Sequence, residues 1–480
     1  MTSFPGLSRS IRTDLTVFPE KAIQFGGGNF MRAFFNWQMQ QMNDRGLFGG
    51  SAVLVQPISK ETNFAFARQD YLFTVLLNGI EQGQPVDSAE VVSSISRLVN
   101  PYTDYADYLA LADDRQLSLI VSNTTEAGIV YRPEDRYEDE PPAGFPGKLT
   151  ALLYRRFSLG GPGFTVIPCE LIDRNGEKLL EIVKKHADDW SLGEDFKKWL
   201  DTDNTFCCSL VDRIVPGFPR GREQELQQRL GYRDDLAVTA EPYLLWVIEG
   251  PDSIREQLPF EQAGLNVIVT EDMTPYRERK VHLLNGPHTA MVPLGLLAGL
   301  ETVEDVMNDE AFSGYVRSLI EHELIPMLDL PLEQLRSYAE AVQERFRNPS
   351  IRHELRSISL NSVSKFRSRL LPILLRFVRE RRELPHGIVL ALSALLYGYK
   401  GDRAVRQDEA SVLAIFDRAP SDPADFVPVI LGDTSLWGLD LNELDGLAAA
   451  VQNRLRELET SAPRELLHRL VKGGTTTCEL

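Results

Sequence analysis

The stretch Lys21-Ala-Ile-Gln-Phe25-Gly26-Gly27-Gly28-Asn29-Phe-Met-Arg-Ala-Phe-Phe-Asn-Trp-Gln-Met39 decides the fold. A short apolar run ends in three glycines and restarts with helical periodicity, which reads as a strand, a tight turn and an amphipathic helix. Downstream, Ala52-Val-Leu-Val-Gln56, closed by Pro57, is a second buried-strand candidate, so the chain opens as a βαβ unit.

Of the dinucleotide fingerprint only G-x-G is present, with Met31 where the third glycine would fall. Glycines after a strand let backbone N–H groups approach a pyrophosphate at a helix N-terminus, where the dipole favours anions. An ordinary tight turn is the plain alternative, but the position between strand and helix favours a cofactor. The candidate contacts are Phe25, Gly26, Gly27, Gly28, Asn29, Phe30 and Arg32. After the second strand, where an acid usually holds the ribose hydroxyls, stands Gln56-Pro-Ile-Ser-Lys60. That leaves NAD and NADP both open on physical grounds; Lys60 is either a 2′-phosphate contact or a solvated lysine.

Working outward, strands are expected at Tyr71–Leu77, Leu117–Val121 and Phe164–Ile167, and helices at Tyr105–Ala112 and Gly176–His186. The alternation predicts an α/β fold, a Rossmann-like doubly wound parallel sheet covered on both faces. Arg132–Gly147, rich in Pro, Gly and acids, reads as a surface loop. Ser122-Asn-Thr-Thr-Glu-Ala-Gly128 follows a strand at the carboxyl edge, where the ligand crevice of such sheets opens. Asn123, Thr124 and Glu126 there either line the nicotinamide side or form a hydrogen-bonded turn. From Tyr276 onward the periodic segments Lys280–Leu300, Val303–Leu330, Leu332–Phe346, Ser359–Arg381 and His386–Tyr399 read as helices. The expected division is a dinucleotide-binding domain over 1–275 and a mostly α-helical substrate-binding and catalytic domain over 276–480.

A length of 480 residues accommodates this division, and 43% apolar with 25% charged residues excludes large-scale disorder. The net charge of −18 repels phosphate backbones, so neither nucleic acid nor an anionic membrane is expected as a partner. The longest apolar runs, Ala290–Leu300 and Ile388–Leu396, are too short to cross a bilayer, and Met1–Ser10 lacks the apolar core of a signal peptide. A cytoplasmic monomer or small homo-oligomer is expected. Cys169, Cys207, Cys208 and Cys478 form no C-x-x-C pair and the histidines no H-x-x-x-H pair, so no metal is expected.

The sharpest constellation is Lys280-Val-His-Leu-Leu-Asn285-Gly-Pro-His288. Asn285 and His288, three apart, share a helix face, although Gly286-Pro287 strains the turn. Such a trio can reduce a carbonyl: Lys280 as acid/base, Asn285 polarising the developing oxyanion, His288 orienting hydroxyls. A surface lysine, a capping Asn and a packed His are the structural alternative. In the oxidative direction Lys280 must be neutral, and the cations Arg277 and Arg279 could depress its pKa. Between Arg345 and Arg382 eleven basic residues face two acidic ones, a concentrated exception in an acidic chain. Arginine forks and lysine point charges suit a carboxylate substrate, while charge runs on helices are more often solvated, so only a few of these residues are expected to be functional.

Phe25-Gly-Gly-Gly-Asn-Phe-Met-Arg-Ala-Phe34, the Lys280…Asn285…His288 spacing and Arg345-Phe-Arg-Asn-Pro-Ser-Ile351 together resemble the polyol-specific long-chain dehydrogenase/reductase family, to which mannitol dehydrogenases belong. Ile167-Pro-Cys-Glu-Leu-Ile-Asp-Arg-Asn-Gly176 and Pro275-Tyr-Arg-Glu-Arg-Lys280 most resemble its tagaturonate reductase branch. The resemblance spans nearly the whole chain. It implies NAD as cofactor, metal-independent reduction of a keto-uronate to an aldonate, Lys280 as catalytic acid/base, Asn285 in the oxyanion site, and an active site in the cleft between a Rossmann and a helical domain. His288, Arg352, His353 and Lys365 fall at or near the substrate-contacting positions it implies. Fructuronate reduction and neutral-polyol oxidation are the neighbouring activities, and a non-catalytic dinucleotide sensor the reading from another class.

Two departures bear on the substrate. Mannitol dehydrogenases carry a second oxyanion asparagine after the Cys-acid pair, whereas Cys169-Glu170 is followed by Leu171, so Asn175 substitutes or the role is absent. They also carry a glutamate where this chain has Arg277. Both changes fit an acidic sugar better than a neutral polyol.

Overall fold

The computed structural model describes residues 4–58, 61–124, 128–350, 352–401 and 406–474. The chain forms two compact units, Met1–Gly79 with Pro85–Met273, and Ile80–Gln84 with Thr274–Leu480. Lys60 and Glu126 lie outside the described residues.

In the first unit a six-stranded parallel sheet runs in the order Ile95–Val99, Ser51–Val55, Glu20–Phe25, Leu119–Ser122, Thr165–Pro168, Thr205–Phe206. This is the doubly wound order of dinucleotide-binding sheets, and it reverses between Glu20–Phe25 and Leu119–Ser122. Successive side chains feed opposite faces. Ala22, Leu119, Val121 and Ile167 pack with Phe34, Phe35 and Met39 of the helix that follows the glycines. Ile23, Phe25, Ile120 and Val166 pack on the other face with Leu149, Leu152, Leu153 and Leu179 of two further helices, Phe145–Ser158 and Asn175–Asp189. Burial on both faces is why these strands read as continuous apolar runs.

Two expectations are corrected. The strand at Phe73–Glu81 lies outside the parallel sheet, in a three-stranded sheet between Gln84–Val92 and Val238–Ala240. The parallel sheet takes Ile95–Val99 instead. That strand escapes an apolar-run search because it is an edge: Ser96 and Arg97 interrupt it, and both donate to the Glu20 carboxylate. The supposed loop Arg132–Gly147 also ends early, since a helix begins at Phe145 with Pro146 in its first turn.

The second unit is mostly helical. Leu332–Phe346 and His386–Tyr399 form as expected, but two long segments are broken. Asp309 stops the first by capping the N–H groups of Ala311 and Phe312, starting a new helix at Glu310. In the second, Leu370 leaves helical geometry (φ −120°) between Ser362–Arg369 and Leu371–Arg381, with Pro372 opening the latter. Among the described residues no helix is long and apolar enough to cross a membrane.

Candidate active site

The glycine turn of the first unit sits at the carboxyl end of Glu20–Phe25, beside the point where strand order reverses. Gly26 has φ +99°, and a Cβ there would stand 2.6 Å from the carbonyl oxygen of Asn123. Only glycine allows both the left-handed backbone and this approach. The opposing loop is held in turn, because the Asn123 N–H donates to the Phe25 carbonyl (3.0 Å) and its carboxamide to the Cys169 carbonyl (3.1 Å). Gly28 has ordinary extended backbone (φ −65°, ψ 173°), is exposed, and a Cβ there would meet nothing within 4 Å. It opens the helix beginning at Asn29, whose first N–H groups have no intrahelical acceptor. An open backbone surface before a helix N-terminus is the cradle a pyrophosphate requires, so these residues fit a dinucleotide.

The predicted cofactor residues divide on inspection. The Phe25 ring is fully buried against Phe145, 4.8 Å between centroids, so its side chain belongs to the core. Arg32 is also buried; its guanidinium donates to the Gly27 carbonyl and the Asn29 Oδ1, both at 2.7 Å, and burial pushes its pKa down to about 10. It braces the turn from beneath. Phe30 stacks on Phe34 at 4.8 Å. Thr124 gives both its N–H (2.8 Å) and its hydroxyl (2.9 Å) to Glu170, whose other oxygen accepts from Ser122 at 3.0 Å. Glu170 is buried, and desolvation pushes its pKa up while these donors pull it back. Glu170 was noted only as the acid of the Cys169-Glu170 pair and was not expected to hold this loop. Asn175 is fully buried, its Nδ2 facing the carbonyls of Pro168, Glu170 and Ser209 and its Oδ1 accepting from Gly176 and Ser209. It is therefore a structural bracket and has no hydrogen-bonding capacity left for a second oxyanion contact.

In the second unit Lys280, Asn285 and His288 lie on one continuous helical run. Thr274–Lys280 is α-helical, Val281–Asn285 forms a widened turn in which the Gly286 N–H returns to the Val281 carbonyl, and Gly286–Leu297 resumes the α-helix. Pro287 supplies the cause: it has no N–H for the carbonyl four residues back, and its ring would crowd that carbonyl in an unbroken α-helix. The consequence is geometric. Five residues along a regular helix lie about 140° apart around the axis, whereas an i→i+5 closure stacks them about one turn apart. The widened turn thus brings Lys280 and Asn285, both half-buried, towards one face.

His288 is buried, edge-on to His353 (4.8 Å, 80°) and against the Phe346 ring (4.3 Å). Burial and then the nearby Arg345 cation push the His353 pKa down, which favours its neutral imidazole. Lys365 donates to the Ile358 carbonyl at 2.8 Å; burial first and Arg369 second lower its pKa. Arg352 is exposed and paired with Glu301 (3.0 Å) and Glu354 (3.1 Å). Arg279 is buried over the Tyr338 and Tyr276 rings at 4.4 and 5.3 Å. Two residues not predicted join the helix face: Thr289, whose hydroxyl donates to the Asn285 carbonyl (2.9 Å), and Arg369, which donates to that hydroxyl (3.3 Å).

The one described group able to hold a metal is Glu177, Cys208 and Glu249. Arg174 binds both carboxylates, which neutralises them.

Comparison with known proteins places these features. The model of the mannitol dehydrogenase Rossmann domain matches residues 20–262, and that of the mannitol dehydrogenase C-terminal domain residues 272–459. The chain is 44% identical over 477 residues to an altronate oxidoreductase of Bacillus subtilis, covering 98% of this chain and 99% of that one. It is 43% identical over 461 residues to an altronate oxidoreductase of Pectobacterium atrosepticum, covering 92% and 94%. Among solved structures, a Pseudomonas fluorescens mannitol 2-dehydrogenase in ternary complex with NAD and D-mannitol matches with a TM-score of 0.72 at 24% identity, covering 97% and 99%. A D-sorbitol dehydrogenase matches with a TM-score of 0.82 at 21% identity, covering 96% and 100%.

Proposed function

This chain belongs to the mannitol dehydrogenase family and is an NAD-dependent oxidoreductase of polyols or sugar acids; we propose that it interconverts D-tagaturonate and D-altronate. The observation that carries the chemistry is the widened turn Val281–Asn285, which turns a spacing unsuited to an α-helix into a shared face for Lys280 and Asn285. Full-length likeness to altronate oxidoreductases supports the substrate.

The glycine turn and the Asn29 helix N-terminus would hold the dinucleotide. When bound, NAD supplies the hydride donor or acceptor. The Lys280 ammonium donates a proton to the carbonyl oxygen of the keto-uronate as that oxygen gains charge, and takes the proton back in the oxidative direction. The Asn285 carboxamide donates a hydrogen bond to the same oxygen, with greater effect on the developing alkoxide than on the ground-state carbonyl. His288 and the neutral His353 orient hydroxyls of the sugar acid. A charged imidazole at His353 would add repulsion beside Arg345.

Steady-state assays with NADH and tagaturonate, fructuronate and fructose test the assignment. Tagaturonate is expected to give the highest kcat/KM; a preference for fructose would overturn the sugar-acid reading.

A further inference from the structure

We infer that Arg369 is the specificity-determining residue that receives the substrate's carboxylate, an assignment resting on the sugar-acid reading above. Arg369 and Lys365 stand one turn apart on the helix Ser362–Arg369, both partly buried. Like charges at this spacing repel, and burying a guanidinium is costly unless an anion accompanies it. No ion pair involves either residue among the described residues. The contrast with their neighbours is direct: Arg352 is paired with Glu301 and Glu354, and Arg376 with Asp329 and Glu380. Asp408, the carboxylate that acts electrostatically on Lys365, accepts from the Val363 N–H and the Tyr399 hydroxyl and forms no ion pair with it. A partly desolvated cation pair with no ion-paired carboxylate is suited to one that arrives with the substrate.

The geometry ties this cation to the chemistry. One Arg369 nitrogen donates to the Thr289 hydroxyl, and that hydroxyl donates to the carbonyl of Asn285, one helical turn back. The Arg369 backbone is fixed as well, because its carbonyl accepts from His282 Nδ1 at 2.8 Å. Both contacts lie on the helical run that carries Lys280 and His288, so the guanidinium is held in register with the proposed acid/base. Lys365 gives one ammonium donor to the Ile358 carbonyl and acts as a point charge, whereas the remaining N–H donors of Arg369 lie in a planar fork that matches a carboxylate.

The test is a kinetic panel on the full-length enzyme with NADH, pairing each keto-uronate with its neutral ketose: tagaturonate with tagatose, fructuronate with fructose. Arg369→Met is expected to raise KM for the keto-uronates by about 10- to 100-fold, the range for a lost charged hydrogen bond, with kcat and the neutral ketose constants within about twofold. Arg369→Lys should recover part of the loss and Arg369→Gln, a neutral hydrogen-bonding side chain, should not. These two variants decide the matter if the methionine variant fails to fold. Equal losses on both substrate classes, no loss on either, or full recovery with glutamine would overturn the assignment while leaving the sugar-acid reading intact. A wild-type enzyme preferring the neutral ketoses would overturn both.

Discussion

The widened turn at Arg32–Asn36 in the first unit and the one at Val281–Asn285 in the second are the same local device put to different uses. All five residues of the first are buried, and Asn36 exchanges hydrogen bonds with Gln24 at 2.7 and 3.1 Å, which seats the helix on the sheet. Just before it lies the exposed backbone of Gly28, which the proposed function assigns to the dinucleotide. The second turn keeps Asn285 half-buried and directly follows Lys280, and the use proposed for it is through side chains. Backbone recognition tolerates side-chain change but not an added Cβ; side-chain recognition shows the reverse sensitivity. The two units should therefore fail under different substitutions.

The largest effect is expected from Lys280→Ala, which should lower kcat by about 10²- to 10⁴-fold while NADH affinity, read by fluorescence titration, stays within about twofold. Turnover near the wild-type rate would remove the lysine from the proton transfer. A third widened turn, Leu319–Leu324, separates structural from catalytic use within the second unit. Its Glu323 accepts from the N–H groups of Gly387 (2.6 Å) and Ile388 (2.9 Å), and burial pushes its carboxyl pKa from 4.5 up to about 7. Between those two values the folded chain binds more protons than the unfolded one, so this group's contribution to stability falls as pH rises through that window. The change is on the order of 3 kcal/mol. Glu323→Gln should flatten the dependence of the unfolding midpoint on pH from 5 to 8; an unaltered slope would show that Glu323 does not cause it.

Within the glycine turn the contrast is sharper still. Gly26→Ala must hold a left-handed backbone and meet the Asn123 carbonyl, which should cost about 2 kcal/mol or more in denaturant unfolding. Gly28→Ala should leave stability within about 0.5 kcal/mol, yet weaken NADH binding about tenfold because the methyl projects into the cradle. Similar behaviour of the two variants would collapse the distinction between packing and ligand glycines. The smallest change is expected at Arg352, where exposed ion pairs with Glu301 and Glu354 make Arg352→Ala worth less than about twofold in KM. A tenfold rise would return it to the substrate site.

Much of this was legible along the chain. Phe25 followed by three glycines marked the strand-to-helix turn, and the run Leu332–Phe346 showed its helix by periodicity alone. Ile95–Val99 was not legible, because an edge strand satisfies its polar residues with solvent and Glu20 and so lacks an apolar signature. Arg32 and Asn175 looked like ligand contacts because polar residues near a motif are ambiguous in sequence. Their partners, the Gly27 carbonyl for one and Pro168 and Ser209 for the other, show them bracing the backbone. Arg369 was one cation among eleven until pairing set it apart.

Local chemistry, written in order along the chain, is sufficient for the parallel sheet's central strands, the glycine turn and the candidacy of Lys280, Asn285 and His288, because each depends on residues near one another in sequence. Which polar groups are committed and which remain available depends on partners drawn from distant segments. Asn123 closing over Gly26, Glu170 gripping Thr124 and Thr289 joining Arg369 to Asn285 exist only once the chain has folded, since burial makes an unpaired polar group costly and pairing is settled by whichever atoms packing brings within reach.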